Sequence, residues 1–195
     1  MDFKASVDKL SIEEKVRLLT GEDFWTTYSL PNIGLRKMVV SDGPSGVRGE
    51  LWDERSPSLS LPSATAFAST WDTEVMGVIG EVMAYEARRK NVDVVLGPTI
   101  NLHRSPLGGR HFEAYSEDSV LSGKLAAAFV RGIQQQGVGA CLKHFVANDA
   151  ETDRHTVNNI LDEETLREVY ALPFEIAVRD SNPWTIMSAY NRVNG

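Results

Sequence analysis

Cys141-Leu142-Lys143-His144-Phe145-Val146-Ala147-Asn148-Asp149 is the stretch on which the reading of this chain turns. Gly137 and Gly139 precede it, and a helix-like segment from Val120 to Gln136 leads into it, so it reads as a short buried strand. Its far end carries two ionisable residues side by side. Adjacent strand residues point to opposite faces, so one of Lys143 and His144 is expected to face a barrel interior or crevice and the other a neighbouring element or loop. A lysine in an apolar strand is costly unless its ammonium is paired or solvated. Two readings stay open from these residues alone: a lysine that snorkels to the strand end beside a histidine satisfied by backbone, or a site.

Working outward, the same strand-then-loop unit recurs. Strands are expected near 38–41, 92–97, 139–145 and 184–190. Helices are expected from a capping box at Ser11-Ile12-Glu13-Glu14 to Gly21, and over Glu74–Lys90, Ser119–Gln136 and Glu163–Arg179. The first helix places Ile12, Val16 and Leu19 on one apolar face; the second places Val75, Ile79, Val82, Met83 and Ala87 there. The segment after Arg48 reads as irregular to Ser69. Strands alternating with helices imply a parallel sheet with right-handed crossovers. Polar, charged and glycine residues gather behind the carboxyl ends of the strands, where barrels and doubly wound folds carry their sites. No Gly-x-Gly-x-x-Gly and no Walker sequence follows any strand. The expected fold is α/β, the first half of a TIM-type (β/α)8 barrel, four parallel strands with outer helices.

Composition narrows the function classes. The 195 residues carry 20 Lys and Arg against 27 Asp and Glu, a net charge of −7. No basic patch stands out, so no nucleic-acid partner is expected. No run reaches membrane-spanning length. The start, Met1-Asp2-Phe3-Lys4-Ala5, has neither a basic nor an apolar leader region, which makes the cytoplasm the default expectation. Cys141 is the single cysteine, excluding an internal disulfide. His103, His111, His144 and His155 show no metal-ligand spacing, so neither a metal nor an organic cofactor is expected.

The strand-end sequences, taken together, resemble glycoside hydrolase family 3, its β-glucosidase branch in particular. They are Ser41-Asp42-Gly43-Pro44-x-Gly46-Val47-Arg48, Leu61-Pro62-Ser63-Ala64-Thr65-Ala66, and Gly97-Pro98-x-x-Asn101. Next comes Arg104-Ser105-Pro106-Leu107-Gly108-Gly109-Arg110-x-Phe112-Glu113-x-Tyr115-Ser116-Glu117-Asp118. Lys143-His144-Phe145-x-x-Asn148, Glu151-x-x-Arg154 and Met187-Ser188-x-Tyr190-Asn191 complete the series. Any one of these is weak; their succession in order, each behind its strand, is specific. The resemblance covers nearly the whole chain and implies β-glucosides or oligosaccharides as substrates. It implies that Asp42, Arg110, Lys143 and His144 clamp the sugar where the bond breaks, with Arg48 joining them and Met187 and Tyr190 beside the nucleophile. The chemistry agrees: pyranose hydroxyls each donate and accept, a carboxylate accepts from two of them, and Arg or Lys donates through charge-assisted bonds.

Each residue has a plainer reading. Asp42 before Gly43-Pro44 suits an Asx-turn, Arg110 can strut its loop by pairing with Glu113, and Met187 and Tyr190 suit a core. Trp25, Trp52 and Trp71 serve either as sugar-stacking platforms or as packing, and Glu151 with Arg154 reads as an ion pair holding a loop. Retaining hydrolysis needs a nucleophile and an acid/base carboxyl. The resemblance places both beyond residues 1–195, since Asp42, Asp149, Asp153, Glu113 and Glu117 match neither. The chain is therefore expected to be an incomplete, N-terminal portion of the barrel domain with no catalytic residue of its own, and its uncovered half-barrel face to self-associate. Two alternatives remain. Asp153-Arg154-His155 has the Asp-x-His spacing of the family's β-N-acetylhexosaminidase branch, although Val146-Ala147-Asn148-Asp149 departs from that branch's Pro-Gly-His-Gly. The other is a non-catalytic sugar-binding fragment.

Overall fold

Four strands lie side by side, all parallel, in the order β1 (Val40–Asp42), β2 (Val94–Leu96), β3 (Gly139–Phe145) and β5 (Thr185–Ser188). The structure is a computed structural model and describes residues 3–51 and 53–195, so Met1, Asp2 and Trp52 lie outside it. Strand identities and directions match the expectation. The third strand has the expected ends, while the other three differ by one or two residues because pairing stops where the loops begin. The Ala189 N–H still bonds the Phe145 carbonyl, at 2.6 Å, and the chain then bends away, leaving Tyr190 beyond the strand. A second parallel pair, β4 (Asn158–Asn159) with β6 (Arg192–Val193), was not anticipated; two residues a side are too short to show periodicity.

Helices α4 (Thr73–Arg89) and α5 (Ser119–Gln135) run back between strands. Asp72 caps the first by accepting from the Glu74 and Val75 N–H groups, and Asp118 caps the second through Leu121. Val95, Ala140 and Leu142 of the sheet share one core with Met83 of α4 and Phe129 and Ile133 of α5. The buried stripe of α4 runs through Met76, Gly80, Met83, Ala84 and Ala87; Val75, Ile79 and Val82, expected there, are only half-buried. The cause is close helix contact through glycine. A Cβ on Gly132 would sit 2.1 Å from the Gly77 carbonyl oxygen, and one on Gly80 2.4 Å from that of Phe129. Gly132→Ala is therefore expected to lower stability by about 1–3 kcal/mol or more, since both backbones must part. An unchanged denaturant midpoint would refute the close approach.

The N-terminal helices depart most from expectation. The capping box at Ser11 forms, with the Glu14 N–H on Ser11 Oγ at 3.2 Å and the Ser11 N–H on Glu14 Oε2 at 2.8 Å. The helix it opens, α2 (Ile12–Arg17), ends before Gly21, and Ile12, Val16 and Leu19 are exposed. No described element covers that face. A preceding helix, α1 (Phe3–Asp8), was not foreseen, nor was α3 (Ala64–Ala68), which Ser63 caps and Phe67 anchors in the core. The expected helix over 163–179 is broken into α6 (Glu163–Thr165), a π-turn (Leu166–Ala171) and α7 (Leu172–Ser181). Pro173 has no N–H to return to the Val169 carbonyl, and the Ser119 hydroxyl bonds that carbonyl instead, at 2.8 Å. Among the described residues no helix is long and apolar enough to cross a membrane.

Candidate functional site

At the carboxyl end of β3 the ladder slips. Lys143 pairs with Met187 and Phe145 with Ser188, so His144 has no partner on β5. Asn101, from the loop after β2, takes that partner's place. Its Nδ2 donates to the His144 carbonyl at 2.9 Å, and its Oδ1 accepts the His144 N–H at 2.8 Å. The expected alternation of Lys143 and His144 is thus replaced by a bulge. Both side chains are buried, at 2% and 6% exposure, and neither snorkels. The same Asn101 oxygen lies 3.2 Å from His144 Nδ1. Because that oxygen only accepts, Nδ1 carries the proton and Nε2 is left as an acceptor. Burial, then the nearby charges of Arg110 and Lys143, hold the His144 pKa down at about 3, so the ring stays neutral.

Lys143 Nζ stands 3.4 Å from Asp42 Oδ1 on β1 and 3.7 Å from Glu113 Oε2. Glu113 also accepts from Thr99 Oγ1 at 2.9 Å and from Arg110 Nε. Beyond it the ionic chain continues: Arg110 Nη1 is 3.7 Å from Glu151 Oε1, and Arg154 Nη1 is 2.7 Å from Glu151 Oε2. Burial is the largest single influence on Glu113 and pushes its pKa up. Arg110, Lys143 and Thr99 together outweigh it and hold the carboxyl below its ordinary range.

Asp42, Arg110 and Lys143 therefore converge, and His144 shares a small cavity with Arg110. Met187 pairs with Lys143 across the strands. Tyr190 is exposed and joins at the edge, with the Arg154 guanidinium 5.6 Å from its ring centre and the His155 ring at 4.4 Å. Arg48 stands beside the cluster: its N–H closes the loop on the Asp42 carbonyl at 3.1 Å, its guanidinium lies 4.4 Å over the Trp25 ring, and it lines one hollow with Glu113. The plainer reading of Arg110 as a strut is also correct, since its strut partner, Glu113, is itself the centre of the cluster. Glu113, Thr99 and Asn101 complete the cluster beyond the residues that the sequence points to; the i,i+3 spacing behind Arg110 is the signal for Glu113. Among the described residues Asp153 and His155 form no hydrogen-bonded dyad. Asp153 turns the chain through Thr156 and Val157, and His155 rests on Tyr190. Nor do the described residues include a group of His, Cys, Asp and Glu able to hold a metal ion.

Behind Arg110 and His144 the small cavity, about 10 Å3, has room for about one water and reaches Asp149. Burial pushes the Asp149 pKa up to about 6, against the opposing influence of the Leu102 N–H bond and the charges of Arg104 and His111. A carboxyl raised in the folded state stabilises below its unfolded value of 3.8, and that contribution is lost as pH climbs through about 6. Asp149→Asn, which can still accept from Leu102, is expected to raise stability by about 1–2 kcal/mol at pH 7.5 and by little at pH 4. A pH-independent effect would refute this.

The family model for the glycosyl hydrolase family 3 N-terminal domain matches residues 19–195. The chain belongs to glycosyl hydrolase family 3. This family 3 chain is 47% identical over 195 residues to a probable β-glucosidase I of Emericella nidulans, and 47% identical over 193 residues to that organism's β-glucosidase B. It spans 23% of the length of each. Among solved structures, β-glucosidase 3B of Thermotoga neapolitana in complex with α-D-glucose superposes with a TM-score of 0.95 at 43% identity. That match covers all of this chain and 30% of the other. The β-glucosidase of Kluyveromyces marxianus in complex with glucose gives 0.96 at 44%, covering all of this chain and 24% of its own. The four parallel strands are accordingly those of a family 3 TIM-type barrel domain.

Proposed function

We propose that residues 1–195 form the N-terminal part of the barrel in a longer, retaining β-glucosidase that releases glucose or a related β-linked sugar from non-reducing ends. One observation carries this reading: Asp42, Lys143 and Arg110, drawn from three different strand-loop units, converge through Glu113 at the carboxyl end of the sheet. Asp42 accepts from two neighbouring hydroxyls, Lys143 and Arg110 donate, and the Nε2 of neutral His144 accepts one more. Met187 and Tyr190 border the same sugar, and Arg48 acts on it through the loop it closes behind Asp42. Such bonds tighten as the ring flattens toward the oxocarbenium-like transition state. The nucleophile and the acid/base carboxyl come from the remainder of the longer protein.

The test compares two proteins, residues 1–195 alone and the longer protein that carries them, on an aryl β-glucoside. The longer protein is expected to release β-configured glucose first, as followed by NMR, and the short chain to show no turnover. Equal rates would mean that the reacting carboxylates lie within residues 1–195. The same preparation tests association. The outer edge of β5 and a hollow of about 490 Å3 lined by Phe145, Phe174, Val178 and Ile186 favour self-association of the short chain, visible as concentration-dependent sedimentation.

A further inference from the structure

We infer that the rim of the barrel carries a second, separate site for one pyranose ring, built on Trp71. Its indole is 75% exposed, so no described element packs over it. The backbone there sits at a φ of +55°, a left-handed conformation that bulky L-residues rarely take. Beside it opens a hollow of about 220 Å3 whose wall includes Thr65, Ser69, His103, Ser116 and Glu117. Drug-sized ligands occupy roughly 300–1,000 Å3, so this space suits a single ring.

The chemistry of the wall selects the ligand. Glu117 is exposed and, among the described residues, makes no hydrogen bond or ion pair, which leaves its carboxylate free to accept from two hydroxyls. Ser116 accepts the Asp118 N–H and keeps its own proton to donate. No lysine or arginine lines the hollow, which disfavours an anion. An organic cation would want several electron-rich aromatic faces around it, but Tyr115 is buried and the His103 ring is engaged with His111. A neutral ring with an apolar face and a rim of hydroxyls fits the combination of indole, carboxylate and hydroxyl.

Its place also fits. Trp71 precedes the first turn of α4 and Glu117 that of α5. Both helices start at the carboxyl ends of the strands, so the hollow opens on the same end of the barrel as the clamp. One loop separates the two: His103 lines the hollow and bonds the His111 carbonyl at 3.0 Å, while His111 lines the cavity that holds Arg110 and His144. The inference rests on the β-glucosidase reading only for the kind of sugar, a β-linked gluco-oligosaccharide.

The experiment uses the longer protein and a hydrolysis-resistant, sulfur-linked tetrasaccharide of β-glucose, followed by NMR titration. In an Asp42→Ala background, which disables the clamp, tetrasaccharide binding is expected to persist. Adding Trp71→Ala or Glu117→Gln should weaken it roughly ten-fold, and Trp71→Phe should restore much of the loss. Trp71→Ala alone should leave kcat/KM on an aryl β-glucoside unchanged, and Trp71→Gly, which suits the positive φ, should melt no lower than the parent. Loss of all oligosaccharide binding in Asp42→Ala would overturn the second site. So would a tetrasaccharide affinity indifferent to Trp71, or binding of choline in preference to sugar. Failure of the β-glucosidase reading would appear instead as absent turnover with the Trp71 titration intact.

Discussion

Glu113→Leu should cost the fold about 3–5 kcal/mol, measured as the loss of unfolding free energy in denaturant. The carboxylate is 7% exposed and stands between two cations that are themselves largely withdrawn from water. Without it, among the described residues Lys143 keeps only Asp42, at 3.4 Å and half in solvent, and Arg110 keeps only Glu151, at 3.7 Å. Those longer contacts do not offset the desolvation of a buried ammonium. Two further results belong with this one. Adding Lys143→Met should recover part of the loss, because the stranded charge goes with its partner. The acid limb should also soften. The folded-state pKa of Glu113 lies below its ordinary 4.5, so its contribution is complete above that value and disappears as pH falls through the folded value. A Glu113→Leu protein as stable as the parent would mean that the ion pairs contribute nothing.

Asp42→Ala should do the opposite: remove activity and spare the fold. Its side chain is 49% exposed and makes one long contact with Lys143, a pairing worth little to stability. That loose tethering is what a substrate-facing carboxylate needs, since both oxygens remain able to accept hydroxyl protons. In the longer enzyme kcat/KM on an aryl β-glucoside is expected to fall roughly 100- to 1,000-fold, the scale of losing one charge-assisted contact that tightens in the transition state. The melting temperature should move little. Parallel losses of activity and stability would make Asp42 a structural residue and sink the clamp.

Much of this was legible in the residue order. Val92 to Leu96 announces a buried parallel strand by its valines, the other strands follow from their place between helix and polar loop, and a lysine and histidine at the end of one demand partners, so the strands and the cluster around Lys143 are legible. Other features could not. A bulge at His144 violates the alternation that sequence reasoning must assume, and its remedy, the Asn101 amide, lies 43 residues away. The apolar stripe of α4 was misplaced because its closest contact is made by glycines, which carry no hydrophobic signal. Ile12, Val16 and Leu19 have a sound helical spacing, yet spacing says nothing about whether a covering surface is present. The stacking of Arg48 on Trp25 is likewise invisible until the loop is folded.

The Asn101–His144 contact also bears on how this chain can be recombined with its relatives. Asn101 engages both main-chain groups of His144 as an adjoining strand would, so the loop after β2 and the end of β3 form one exchangeable unit rather than two. Transplanting the segment after β2 from another barrel without an amide at this position would leave a main-chain N–H and carbonyl of β3 open and release the imidazole to either tautomer. Chimaeras cut between residues 96 and 100 and rejoined beyond 149 keep the unit whole. Crossovers at 120–138, which helix boundaries would suggest as natural seams, divide it.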